Sequence, residues 1–446
     1  MPTDFDAIFK AYDVRGTVGD QLDADGAWAI GGAFARYVAK EGSTAILVGR
    51  DMRPESPELA SAFVQGALAH GIDVIDVGLC ATDMLYFGSG SLGMPGAVFT
   101  ASHNPAGYNG IKMCGAGAAP ISSAKGLNQI KELAVSGSQL AHTKGTLTSQ
   151  DLLGSYVTHV RSFVNTAALM PLKVVADTAN GMGGLVLPAV FASLPFHLDH
   201  LYPELDGTFP NHPADPLQPE NQRDLCARVL KTQADVGLAF DGDADRVFLV
   251  DEKAQPISGS TTTAIIAKLL LERHPNATVL HNLICSKAVP EAILEAGGKP
   301  LRTRVGHSFI KQVMAETNAV FGGEHSGHYY FQQNYGADSG LIAAVIVLEA
   351  LSRHPAGLAD LVTSLERYAS SGELNTKVAD ADAVLAKVAA AYPQAAQDHL
   401  DGLTVDMGDW WFNLRASNTE PLLRLNLEAA SASEVQAKVA QVQGLF

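Results

Sequence analysis

Cysteine is scarce: four in 446 residues (Cys80, Cys114, Cys226 and Cys285), widely separated and with no C-x-x-C pair. That spacing argues against a disulfide framework or a zinc knuckle and fits a reducing, cytoplasmic setting. Positive charge is the second shortage. Lys and Arg number 31 against 47 Asp and Glu, a formal net charge of −16. No basic stripe marks a nucleic-acid surface, and an anionic membrane is an equally poor partner. Long hydrophobic runs are also missing. The longest, "GLIAAVIVLEAL" from Gly340 to Leu351, carries Glu349 near its end; it is too short to span a bilayer and reads as a buried helix. The N-terminus, "MPTDFDAIFKAYD", is acidic and lacks the apolar core of a secretory signal. An acidic chain repels anions, so any anion site must gather its few Lys and Arg locally.

What is present is a globular composition, 47% hydrophobic and 17% charged, in a chain long enough for several domains. Strand-like runs alternate with Ala- and Leu-rich helical stretches, which favours an α/β design with mixed sheets. A layout recurs. "AILVGRD" (45–51), "LKVVADTANG" (172–181) and "ATVLHNLICS" (277–286) each read as a buried strand followed by a helical segment. Each is then answered by a second strand ending in a polar loop: "GAVFTASHNP", "VGLAFDGDADR" and "AVFGGEHSGHYY". Three similar units would carry their polar loops at equivalent corners. The last segment differs, with strands around "LTVDM", "WWFNLRAS" and "LLRLNLEA" and two helices. It predicts a small α+β domain with an antiparallel sheet. The domain limits follow as 1–147, 148–251, 252–364 and 365–446.

The sharpest chemical signal is Asp241-Gly242-Asp243-Ala244-Asp245-Arg246. Carboxylates at every second position, with small residues between, can converge on one hard cation such as Mg²⁺. An EF-hand competes, since Glu252 falls at loop position 12. However, Arg246 stands where the sharp turn needs Gly, and "VFLV" behind it is a strand. The loop at Ser102 follows the run "AVF" and is rich in turn residues, His103-Asn104-Pro105, with Lys112 further on. It is not the G-x-S-x-G elbow of an esterase. Arg415-Ala416-Ser417-Asn418-Thr419, between two strands, offers an Arg fork and hydroxyl and amide donors to a phosphate. Glu324-His325-Ser326-Gly327-His328 offers a carboxylate, a hydroxyl and imidazoles to sugar hydroxyls. His307 is a candidate proton carrier. Taken singly, the serine, Arg415, Glu324 and His307 stretches read equally well as capped polar turns. Taken together they suit phosphoryl transfer to and from a sugar phosphate, with the serine carrying the group and the cation neutralising it.

With those motifs in that order, the chain resembles the α-D-phosphohexomutase family, and within it the bacterial phosphomannomutase/phosphoglucomutase group. The likeness runs from "FKAYDVRG" to "RASNTEPLLRLNLEA", through "TASHNP", "DGDADR" and "GGEHSGH". It implies four domains around a central cleft, the first three sharing a topology. It implies that Ser102 is a phosphoserine and that Asp241, Asp243 and Asp245 hold Mg²⁺ with a phosphoserine oxygen as a further ligand. Glu324, Ser326 and His328 would contact sugar hydroxyls, and Arg415, Ser417, Asn418 and Thr419 the phosphate that is not reacting. Tyr12, Arg15, Lys112 and Arg246 would line the cleft near the phosphoserine. The implied reaction moves a phosphoryl group between O1 and O6 of a hexose phosphate through a 1,6-bisphosphate, which also serves as activator. The expected partners are small sugar phosphates, with a monomer or dimer as the working form. One departure stands out: where relatives often place Lys before the Cys of the third domain, this chain has Ile284 in "NLICSK". His307 or Lys287 is then left as the proton carrier. Rival readings are a phosphoglucosamine mutase, a metal-dependent serine phosphatase and a non-catalytic sugar-phosphate sensor. The variable third position of the sugar loop holds His325 rather than the Gln usual in the first of these. The intact serine loop speaks against the last.

Overall fold

The computed structural model describes residues 3–137, 140–416 and 422–446. The first sheet runs Val14–Thr17, Tyr108–Gly115, Gly96–Phe99, Ala45–Arg50, Asp73–Leu79, Leu147–Ser149 in spatial order. The order of its middle four strands recurs twice. In the second sheet it is Val247–Asp251, Val236–Phe240, Lys173–Asp177, His197–Leu201; in the third, Tyr329–Phe331, Phe321–Gly323, Thr278–Asn282, Lys299–Thr303. Each time three strands are parallel and the one that follows the polar loop turns back antiparallel. The repeated mixed-sheet layout expected from the sequence is therefore present.

Each unit also contains a strand that sequence patterning passes over: Asp73–Leu79, Lys299–Thr303 and His197–Leu201. These lie at or near a sheet edge and keep polar, part-exposed residues such as those of "HLDHL" and "KPLRT". Without an apolar run, the last two leave no strong signal. The strands that lead to the polar loops are the opposite case. "GAVF", "VGLAF" and "FGG" are buried throughout, as central strands covered on both faces must be. All three loops accordingly leave the carboxyl ends of central strands, the place where open α/β sheets bind ligands.

One core joins the first three units. Leu47 and Val98, Val186 and Phe240, Val279 and Phe321 all belong to it, together with Leu341 to Leu348 of the helix Gly340–Ser352. That helix is the buried one expected from its apolar run. Ser339 caps it by accepting from the Ile342 amide, and Glu349 is tolerated inside because Arg273 and Arg353 both pair with it. The fourth unit has its own core, around Phe412, Leu414 and Leu425. Its sheet, Ala369–Lys377, Leu422–Ala429, Trp411–Ala416, Leu403–Asp406, Ala396–Asp398, is antiparallel throughout. Polar contacts tie it to the third unit: Lys287 Nζ donates to Asp406 Oδ1 at 2.7 Å, and the Val305 amide to Asp401 Oδ2 at 3.2 Å. Among the described residues, no helix is long and apolar enough to cross a membrane, and all four cysteines are free thiols.

Candidate active site

Ser102 ends its strand in an unusual backbone conformation, φ 51°, in the left-handed region that residues with a Cβ seldom occupy. Thr100 Oγ1 accepts its amide at 3.0 Å. Its Oγ, buried, donates to Asp241 Oδ2 at 2.8 Å. The two loops approach so closely because residue 242 is glycine: a Cβ there would lie 2.4 Å from the Ser102 carbonyl oxygen.

The three carboxylates converge as their spacing predicts. Ligand oxygens of Asp241, Asp243 and Asp245 lie within 4.8 Å of one another, and all three residues are buried. Lys112 Nζ reaches Asp243 and Asp245, each at 2.6 Å, and Arg246 Nε donates to Asp241 Oδ2 at 2.8 Å. Thr82, from the first unit, donates its hydroxyl to Asp243 Oδ2 at 2.5 Å. Burial pushes the Asp241 carboxyl upward, and its two acidic neighbours add to this against Arg246. Burial works the same way on Asp243, but Lys112, Thr82 and Arg246 together outweigh it and hold that carboxyl well below the usual range. Asp243 Oδ1 and Asp245 Oδ1 are buried and have no hydrogen-bond partner. Hard, unpartnered carboxylate oxygens gathered this tightly fit a divalent cation such as Mg²⁺. The EF-hand alternative does not fit. Glu252 Oε2 instead accepts the Leu358 and Ala359 amides at 3.1 and 3.0 Å, at the start of a helix in the third unit.

The 324–328 loop meets this cluster from the third unit. Glu324 is pinned by the Tyr330 hydroxyl at 2.8 Å, the Gly306 amide at 3.1 Å and Asn282 at 3.3 Å. Ser326 Oγ lies 3.0 Å from His328 Nδ1, and His328 Nε2 lies 3.8 Å from Asp245 Oδ1. His325 is engaged elsewhere, its Nδ1 3.0 Å from Ser260 Oγ. A single cavity is lined by Tyr12, Arg15, Ser102, Lys112, Arg246 and His328. Arg246 Nη2 is buried there without a hydrogen-bond partner. Arg15 Nη1 donates to Asn104 Oδ1 at 2.5 Å, which ties it to the serine loop. Burial raises the Tyr12 hydroxyl, with Glu324 and Asp401 adding and Arg304 and Arg415 opposing; Tyr12 thus sits among charges of the third and fourth units.

Some sequence expectations are met differently. Arg415 Nη2 pairs with Glu373 at 3.1 Å within its own sheet. Ser417, Asn418 and Thr419 lie outside the described residues, and so does the side chain of His307, which heads the helix His307–Thr317. Lys287, the alternative proton carrier, is engaged by Asp406 and by the Gly408 carbonyl oxygen at 2.9 Å. Sequence patterning missed several neighbours. Tyr86 and Asp338 line the cavity too, beside His103 of the serine loop, which the sequence already offered as a proton-orienting or capping residue. His103 Nδ1 lies 3.2 Å from Ser102 Oγ. The Arg246 charge, aided by burial, holds that imidazole well below its usual value. Thr82 and Asp338 carried no local signal, because their partners are remote in sequence.

An α/β protein with a strand-ending serine against a carboxylate trio, and a polar loop beside it, is built for phosphoryl chemistry. Four successive domain families of the phosphoglucomutase/phosphomannomutase group match the chain: alpha/beta/alpha domain I over residues 6–140, domain II over 154–255, domain III over 258–368 and the C-terminal domain over 373–444. A phosphomannomutase of Salmonella typhimurium is 38% identical over 433 residues, 94% of each chain. The phosphohexose mutases of Xanthomonas campestris pv. campestris are 40% identical over 445 residues, 98% of each chain. A crystal structure of a phosphoglucomutase/phosphomannomutase family protein from Burkholderia thailandensis superposes with a TM-score of 0.89 at 34% identity, covering 98% of this chain and 96% of that one. The chain belongs to the phosphoglucomutase/phosphomannomutase family.

Proposed function

We propose that the protein is a hexose-phosphate mutase that interconverts mannose 6-phosphate and mannose 1-phosphate, and the glucose pair as well, through a phosphoserine at Ser102. The observation that carries this reading is the hydrogen bond from Ser102 Oγ to Asp241 of the acidic trio, 2.8 Å long.

In the first half-reaction the phosphorus–Oγ bond of phosphoserine 102 breaks, and a bond forms from phosphorus to the free sugar hydroxyl. The hydroxyl proton passes to an acceptor, assigned to His307, and from there to the departing Oγ. The product is a bound hexose 1,6-bisphosphate. Once it has turned end for end, its other phosphate returns to Ser102 by the reverse path. Asp241, Asp243 and Asp245 would hold Mg²⁺, which when bound would supply positive charge against the phosphoryl oxygens. Arg246, with its unpartnered Nη2, grips the reacting phosphate beside Lys112 and Arg15. Glu324, Ser326 and His328 hold the sugar, and Arg415 with Ser417, Asn418 and Thr419 holds the distant phosphate. The fourth domain, with limits near 365–446, closes the cleft and keeps water from the phosphoserine.

The test compares specificity constants for mannose 1-phosphate, glucose 1-phosphate and glucosamine 1-phosphate while inorganic phosphate is measured in parallel. Mannose and glucose phosphates are expected to turn over well above the glucosamine compound, with isomerisation far outpacing phosphate release. Phosphate release outpacing isomerisation would overturn the proposal in favour of a phosphatase.

A further inference from the structure

Arg53 takes no part in the steps above, yet it is among the most enclosed side chains of the protein, 1% exposed. Its guanidinium is spent on the loop that carries Ser102. Nη2 donates to the carbonyl oxygens of Ser102 at 2.9 Å and Asn104 at 2.6 Å. Nη1 donates to those of Pro105 at 2.9 Å and Tyr108 at 3.0 Å. Behind it, Nε faces Asp51 Oδ2 at 3.3 Å. Asp51 is itself fixed by the Ser56 hydroxyl at 2.6 Å and the Arg53 amide at 3.0 Å.

The second unit completes the enclosure. The Phe209 ring lies against the guanidinium, 5.0 Å from its centroid, and Gly207 comes so near that a Cβ would sit 2.5 Å from Arg53 Cα. Four carbonyl groups of one loop turned inward on a buried cation are a specific arrangement. Loop carbonyls ordinarily face water, and inside the protein each needs a donor. Ser102 has a further need. Its left-handed backbone is disfavoured for a residue with a Cβ and persists only where its surroundings over-determine it. The carbonyl that Arg53 holds is the same one that packs against Gly242 of the metal loop. Its orientation therefore sets where Ser102 Oγ stands relative to Asp241.

The geometry points to Arg53 as a positioning residue for phosphoryl transfer: it clamps the serine loop so that Ser102 Oγ is aimed at the carboxylate trio. This rests on the reading of Ser102 as the phosphate carrier. Lysine cannot substitute, because a compact ammonium lacks the planar fork that reaches two carbonyls from each terminal nitrogen.

The test is Arg53→Lys, assayed as kcat per folded chain phosphorylated at Ser102, with the phosphorylated fraction counted by intact mass. A displacement of the attacking or leaving oxygen by about 1 Å is worth roughly 100-fold in rate. A fall in kcat of about 10- to 100-fold is expected, with KM for the sugar phosphate within about twofold of wild type. A merely structural role would lower the melting temperature and the phosphorylated fraction but leave kcat per phosphorylated chain unchanged, and that result would overturn the proposal. Should Arg53→Lys not fold, Phe209→Leu decides, because it leaves every donor and acceptor in place but removes the ring that seats the guanidinium against the loop, so the clamp loosens. It is expected to lower kcat several-fold; a wild-type value per phosphorylated chain would again overturn the proposal. Ser102→Ala separates the two claims. If that variant is inactive while the Arg53 and Phe209 variants are normal, the clamp alone fails. If it is active, the phosphoserine reading itself fails.

Discussion

Ser102 and Asp241 stand 139 positions apart in the chain, yet the serine Oγ donates to the aspartate Oδ2 across 2.8 Å. The first loop belongs to one sheet and the second to another. Their meeting is what turns a polar turn and an acidic loop into a candidate phosphoryl-transfer centre, and it depends on the absence of a side chain at residue 242.

Gly242→Ala is the most economical disturbance of that meeting. The new methyl would press on the backbone oxygen of Ser102 at 2.4 Å, and neither chain has a flexible end to yield. Overpacking of this kind costs about 1–3 kcal/mol of stability. The protein is expected to fold and to lose about 100-fold in kcat as the serine is displaced. Steady-state assays with a thermal melt check both; wild-type turnover would show that the close approach is dispensable.

Removal of divalent metal by a chelator is expected to abolish turnover, and Mg²⁺ to restore it. Asp243→Asn weakens the site by removing one charge where Oδ1 is buried and unpartnered. The Mg²⁺ concentration for half-maximal activity is then expected to rise by about 10- to 100-fold or more, since even supporting residues of metal sites cost that much. An unchanged Mg²⁺ titration would place the metal elsewhere.

Asp83 gives a pH dependence. Its carboxylate accepts from Tyr156 OH at 2.6 Å and Ser339 Oγ at 2.5 Å, one from the second unit and one from the third. Burial pushes its pKa up to about 7, above the roughly 3.9 of an unfolded chain. The folded protein therefore holds this proton more tightly than the unfolded one. Its contribution is complete below about pH 4 and is lost as the pH rises through about 7. Asp83→Asn cannot ionise, so its melting temperature is expected to fall less than that of wild type between about pH 5 and 8. Melts across that range check this; equal slopes would contradict it.

Much of this arrangement is legible in the chain. The buried run "VGLAF" announces a central strand, and Asp241, Asp243 and Asp245 announce a hard cation because their spacing is local. Thr82 does not: its partner Asp243 is 161 positions away, and a threonine at a helix start looks like any cap. Lys287 misleads for the same reason, since Asp406, 119 positions on, claims its charge. Arg53 follows "GRD" without any mark of the carbonyls it will collect. The polar strand "HLDHL" is missed because an edge strand has little to bury. Local chemistry reads directly from spacing, and contacts made by the fold do not.

The most direct measurement is intact-mass analysis of the protein after incubation with a hexose 1,6-bisphosphate, paired with turnover assays of wild type and Ser102→Ala. One phosphate on wild type, mapped to Ser102, is expected to disappear in the variant together with at least about 1,000-fold of the activity, as for other covalent catalysts. Full activity in Ser102→Ala, or a stable phosphate on a different residue, would contradict the phosphoserine mechanism.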